Sequence, residues 1–139
     1  MKISKKHIIK LLKNAANASS NAYAPYSNYY VGAAILTKNG KIYTGCNVEN
    51  ASYGLTVCAE RAAVQNAVSH GEKEFVAIAI VADGTPSTPV PCGACRQVLA
   101  EFCKPSMPIF TAHKSCLNQH TSYKLGTLLP DVFKLKHRL

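Results

Sequence analysis

At 139 residues, 47% of them hydrophobic, the chain is sized for one globular domain with a substantial core. No apolar run approaches the ~20 residues of a membrane span, and the opening alternates Lys with Ile and Leu without a cleavage site, which argues against a signal peptide and predicts a cytoplasmic protein. The net charge of +9 raises nucleic acid as a partner, but the cations are spread out, with loose groups at Lys2, Lys5, Lys6, Lys10 and Lys13 and at Lys134, Lys136 and Arg138; solvated surface is the expected reading.

In chain order, Ile8, Leu11, Leu12, Ala15 and Ala16 recur at helical spacing and predict an amphipathic helix ending near residues 19–21. Runs at 30–36 and 41–44 flank Asn39-Gly40, which predicts a hairpin with a tight primed turn. A helix opening at Thr56 or Val57 should run through Val68 and stop before Gly71. The continuous apolar run at 75–81 reads as a strand buried on both faces. A Pro/Thr/Ser-rich loop over 84–91 leads into a second helix at 92–102, and a fourth strand follows at 108–111. A weaker strand at 122–125 and a short helical turn closed by Pro130 complete the chain. Strands alternating with helices after a hairpin predict an α/β sandwich with a mixed sheet, in one domain spanning 1–139.

Six cysteines without an export signal favour metal or redox use over disulfides. Cys58-Ala59-Glu60 lies at one predicted helix start and Pro91-Cys92-Gly93-Ala94-Cys95 at another. Cys92 and Cys95, at i and i+3, share a helix face, and thiolates are favoured at the positive end of a helix. Two such termini facing each other would bring three sulfurs to one zinc, leaving its fourth position for water as catalytic sites require. Glu60, two residues after a ligand, is placed to move protons. Inert buried thiols, a redox pair and a closed structural site are the alternatives. The last would draw a fourth ligand from Cys46, Cys103 or a histidine (His7, His70, His113, His120, His137), none of which has local ligand spacing. Cys116 reads as a packing residue, as do Cys46 and Cys103, and the histidines read as exposed.

The order Cys-x-Glu, then Pro-Cys-x-x-Cys, is that of zinc base deaminases. Together with Tyr23-Ala24-Pro25-Tyr26-Ser27, Asn47-Val48-Glu49-Asn50-Ala51, Arg61, Arg96-Gln97 and Leu128-Leu129-Pro130, it closely resembles the homotetrameric cytidine deaminases, from about Tyr23 to Phe133. The resemblance implies a three-layer α/β/α sandwich with a five-stranded mixed sheet. It also implies one Zn²⁺ per chain on Cys58, Cys92 and Cys95, with Glu60 as the proton carrier. Substrate contacts fall to Asn47 and Glu49 at the ribose, to Ala59, and to Tyr29, where similar enzymes commonly have Phe. Tyr53 and Phe133 reach a neighbouring subunit's pocket, and Arg61 offsets the negative charge of three thiolates on one zinc. The expected reaction is deamination of cytidine and deoxycytidine in pyrimidine salvage. Deamination within a polynucleotide, deamination of a modified aminonucleoside, and a zinc-stabilised interaction module are the rivals.

Overall fold

The computed structural model describes residues 1–84 and 88–136. Its elements are α1 (Lys5–Ser19), β1 (Tyr30–Thr37), β2 (Ile42–Cys46), α2 (Ala59–Ser69), β3 (Phe75–Asp83), α3 (Gly93–Phe102), β4 (Pro108–His113), β5 (Thr121–Lys124) and α4 (Leu125–Leu128). The strands form one sheet in the order β2-β1-β3-β4-β5, in which only β3 and β4 run parallel.

Side-chain alternation divides the interior into two cores. Val31, Ala33 and Ile35 of β1, with Ile78 and Ile80 of β3 and Ile109 of β4, meet Ala63, Val64 and Ala67 of α2 and Leu99 of α3. The intervening residues Ala34, Leu36, Ala77, Ala79, Val81 and Phe110 meet Leu11, Leu12, Ala15 and Ala16 of α1. Helices therefore cover both sheet faces, which is the three-layer α/β/α arrangement expected. Each fully buried Leu or Ile contributes about 1.5–3 kcal/mol to holding the layers together.

Ser4 starts α1 through a capping box with His7, whose main-chain N–H donates to the Ser4 hydroxyl at 3.2 Å. Gly32 and Gly45 let helices touch the sheet backbone. A Cβ on Gly32 would lie 1.9 Å from the Ala15 carbonyl oxygen, and one on Gly45 would lie 2.4 Å from the Ala63 nitrogen.

The hairpin forms, but without the primed turn. Only Gly40 of the loop has positive φ, and its N–H donates to the Thr37 carbonyl at 3.0 Å. Three residues, Lys38, Asn39 and Gly40, thus make the connection, with Gly40 as the left-handed residue of a bulge. The α2 helix also begins later than Thr56 or Val57. Val57 is instead paired with Val48 in an isolated antiparallel bridge, and a turn of 3₁₀ helix occupies Tyr53–Leu55. No helix among the described residues is long and apolar enough to cross a membrane. His137 and Arg138, expected on the surface, lie outside the described residues.

Candidate active site

Cys58 and Cys92 are the N-cap residues of α2 and α3, and neither side chain makes a capping hydrogen bond. An N-cap side chain ordinarily accepts from the helix's first free N–H groups; here both sulfurs are left for another partner. Cys95, in the first turn of α3, is fully buried. All three sulfurs lie within 4.8 Å of one another, with Cys92 and Cys95 3.6 Å apart. Sulfurs bound at ~2.3 Å around a tetrahedral ion stand roughly 3.8 Å apart, so the set fits zinc. Among the described residues no other group of three or more His, Cys, Asp or Glu side chains gathers this closely. Cys46, Cys103, Cys116 and the described histidines stand outside it.

The donor chemistry points the same way. The Cys58 thiol is lowered to about 5, chiefly by its hydrogen bond with Cys95 and then by Arg61, while Cys95, the partner in that bond, is pushed up. Three sulfurs this close cannot all ionise without a cation to balance them, which is the role a metal fills. Arg61 supplies part of that balance. Its Nη2 donates to the Cys58 sulfur at 3.4 Å and to the Thr56 carbonyl at 3.3 Å, while its Nε is buried without a partner.

Glu60 sits in the first turn of α2 and is only 5% exposed. Burial, and secondarily the negative charge of Cys58, raises its carboxyl above the usual range. It opens onto a pocket of about 290 Å³ shared with Cys58, Cys92, Ala59, Tyr29, Asn47 and Glu49. Val31 and Ile80 line it from the sheet, and Pro89 and Val90 from the loop before α3. A larger hollow of about 360 Å³ lies at the other end of the sheet under Lys38 and Phe102, but it holds no comparable chemistry.

Eight of the residues singled out in the sequence thus meet at one place: Cys58, Cys92, Cys95, Ala59, Glu60, Tyr29, Asn47 and Glu49. Asn47 also has a scaffolding task. Its amide accepts from the Val31 N–H at 2.8 Å and donates to the Tyr29 carbonyl at 2.7 Å, fixing the start of β1 beside the pocket. The Tyr29 hydroxyl has its pKa raised by burial and then by Glu60. Glu49 accepts from the main-chain N–H groups of Tyr26 and Ser27 and from the Ser27 hydroxyl, and its carboxyl is lowered, most of all by that hydroxyl.

Tyr53 and Phe133 do not line this pocket. Tyr53 is 76% exposed and meets Tyr26 edge-on at 6.2 Å, and Phe133 is 67% exposed, its carbonyl accepting from the Gln97 amide at 3.0 Å. Ser27, Thr56, Pro89 and Val90 line the site without having been assigned a role from sequence. Only Ser27 stood inside a recognised block, and nothing in its type or spacing marked it.

Residues 5–111 match the family model of the cytidine and deoxycytidylate deaminase zinc-binding region. The cytidine deaminase of Halalkalibacterium halodurans is 53% identical over 123 residues, covering 88% of this chain and 91% of that protein. That of Sporosarcina psychrophila is 49% identical over 125 residues, 89% of each. The crystal structure of cytidine deaminase from Burkholderia pseudomallei superposes with a TM-score of 0.84 at 44% identity, covering 94% of this chain and all of that one. Three sulfurs gathered at two helix starts, a buried carboxyl beside them and these likenesses over nearly the whole length have one meaning: the chain belongs to the cytidine and deoxycytidylate deaminase family.

Proposed function

We propose that the chain deaminates cytidine and deoxycytidine, giving uridine or deoxyuridine plus ammonia, in cytoplasmic pyrimidine salvage. The buried Glu60 carboxyl beside the Cys58, Cys92 and Cys95 sulfurs, in a pocket that Glu49 also lines, is the observation that carries this reading. One domain over 1–139 holds all of these groups.

One Zn²⁺ per chain is held by Cys58, Cys92 and Cys95. When bound, zinc supplies Lewis acidity that makes water a competent nucleophile near neutral pH. Glu60 takes one proton from water as its oxygen bonds to carbon 4 and delivers it to the ring nitrogen; it then carries the remaining hydroxyl proton to the exocyclic amine, which leaves as ammonia as the carbon–nitrogen bond breaks and the carbonyl forms. Its burial suits this work, because desolvation raises the carboxyl's proton affinity above that of a solvated glutamate and so favours taking a proton from water. Arg61 draws charge from Cys58 and so limits the loss of Lewis acidity that three thiolates would cause. Asn47 and Glu49 hold the sugar, Tyr29 packs beside the base, and Ala59 closes the α2 end of the pocket. Tyr53 and Phe133 serve neighbouring pockets in a homotetramer.

The +9 charge supports the rival reading of a polynucleotide deaminase. Opposing it, the carboxylate at Glu49 would repel a phosphodiester at the sugar. Steady-state rates on cytidine, deoxycytidine, their monophosphates and a cytosine-containing oligonucleotide, followed as loss of near-ultraviolet absorbance, test both. Turnover of the free nucleosides is expected. Faster turnover of the oligonucleotide would replace this reading.

A further inference from the structure

We infer that Ser27 is a positioning residue that sets the site's demand for a free sugar hydroxyl, by fixing Glu49 with a single acceptor position open to the pocket. The inference rests on the reading of Glu49 as the sugar-binding carboxylate and adds to it the group that makes that carboxylate selective.

An ionised carboxylate offers about four lone-pair positions. The Tyr26 and Ser27 N–H groups both donate to Glu49 Oε1, at 2.9 and 3.2 Å, and the Ser27 hydroxyl donates to Oε2. One position is left, on Oε2. Ser27 is itself held in this role, because its oxygen accepts from the Tyr29 N–H at 3.0 Å. A hydroxyl has one proton to give, so accepting on that side turns the proton toward Glu49.

The backbone keeps this arrangement in place. Asn28 takes the left-handed conformation at φ 55, and its N–H donates to the Ala24 carbonyl at 3.0 Å, which folds residues 24–28 into a tight loop. Glu49 is tied to the same loop from behind, where its own N–H donates to the Tyr23 carbonyl at 2.8 Å. Ser27, Tyr29 and Glu49 all line the pocket. The open position therefore faces a ligand and accepts one hydrogen bond. A sugar hydroxyl satisfies it, whereas a phosphorylated or missing hydroxyl leaves it repelled or unpaired.

The test compares cytidine with 2′,3′-dideoxycytidine, which lacks the secondary hydroxyls, in the zinc-loaded wild type, Ser27→Ala, Ser27→Thr, Glu49→Ala and Ser27→Ala/Glu49→Ala. Wild type should prefer cytidine by about 10- to 100-fold in kcat/KM, the range of a hydrogen bond to a charged group. Ser27→Ala should shrink that preference by about tenfold, through KM with kcat nearly unchanged. Ser27→Thr, which keeps the hydroxyl, should restore it. In the Glu49→Ala background, Ser27→Ala should change the preference no further. Ser27 is exposed, so its truncation leaves no cavity; unchanged zinc content and melting temperature check this. If wild type discriminates and Ser27→Ala discriminates equally, or if Ser27→Ala lowers kcat alike on both substrates, the positioning role is wrong. If wild type does not discriminate at all, the reading of Glu49 falls and this inference falls with it.

Discussion

At the start of α2, burial and the helix dipole act on Glu60 in opposite directions. A first-turn carboxylate is ordinarily favoured as the anion, but at 5% exposure desolvation prevails and its carboxyl is raised. Sequence places Glu60 two residues from Cys58, a proposed zinc ligand; the burial that would suit it to proton transfer comes only from the packing of α2 against the sheet. Glu60→Gln preserves size and is expected to keep fold and zinc while losing about 10²–10⁴ in kcat. Near-normal turnover in that variant would assign proton transfer elsewhere. The cysteines divide by environment in the same way. Burial pushes Cys103 up to about 12, whereas Cys92 and Cys116 are exposed. Alkylation followed by mass spectrometry should therefore label Cys92 and Cys116 in metal-free protein and spare Cys103 until unfolding. Added zinc should protect Cys92 and leave Cys116 reactive; equal labelling of Cys92 with and without zinc would contradict the proposed ligand set.

The elements that carry the site were legible because their signals are local. Helical spacing at Leu11, Leu12, Ala15 and Ala16 predicts the buried stripe of α1, and Pro91 before Cys92 marks the start of α3. What was not legible depends on how segments pair with one another, which local spacing does not record. Val57 has the type and position of a helical residue, yet pairing with Val48 draws it into a bridge and moves the helix start to Cys58. The Asn39-Gly40 pair suits a two-residue turn, but the ladder pairs Leu36 with Ile42 and leaves a longer connection. Asn47 and Glu49, expected only as sugar contacts, are also held by the 23–31 segment, a tertiary fact. Gly45 positions α2 by close backbone approach, and neither Ala63 N nor Ala59 O, 2.4 and 2.7 Å from an added Cβ, can swing aside. Gly45→Ala should cost about 1–3 kcal/mol of stability and weaken zinc binding, since α2 carries Cys58. Gly54, whose added Cβ would meet nothing within 4 Å, is the control, with Gly54→Ala expected within about 0.5 kcal/mol of wild type by denaturant titration. A Gly45→Ala protein as stable as wild type would show that α2 can shift freely.

For the whole molecule, the exposed rings are the informative feature. Tyr26, Tyr53 and Phe133 are 51%, 76% and 67% exposed, an apolar display that an isolated chain would leave in water. An open pocket of about 290 Å³ also needs walls to exclude water from a charged reaction centre. The proposed association of four chains would supply walls and cover rings together, and closed symmetric assemblies are the usual outcome of self-association. The charge of +9 per chain opposes association, but Lys5, Lys6, Lys10 and Lys13 are exposed on α1, which covers the sheet face opposite α2 and α3, and salt screens them. Mixing Phe133→Ala with Glu60→Gln subunits should give activities that depart from a linear average, since each pocket would combine parts of two chains. A fully active monomer at micromolar concentration, seen by sedimentation with assay, would refute the shared pocket.

Cys58 precedes β3 and Cys92 follows it, so an ion gripping both closes a loop around the strand at the centre of the sheet. Such an ion behaves as a cross-link. It removes disorder from the unfolded chain much as a disulfide over a loop of tens of residues does, a contribution of about 3–4 kcal/mol. Withdrawal of the ion would loosen both flanks of β3 at once and shift the chain toward states that proteases and chaperones recognise. The supply of zinc would then govern how long each molecule persists as well as how fast it works.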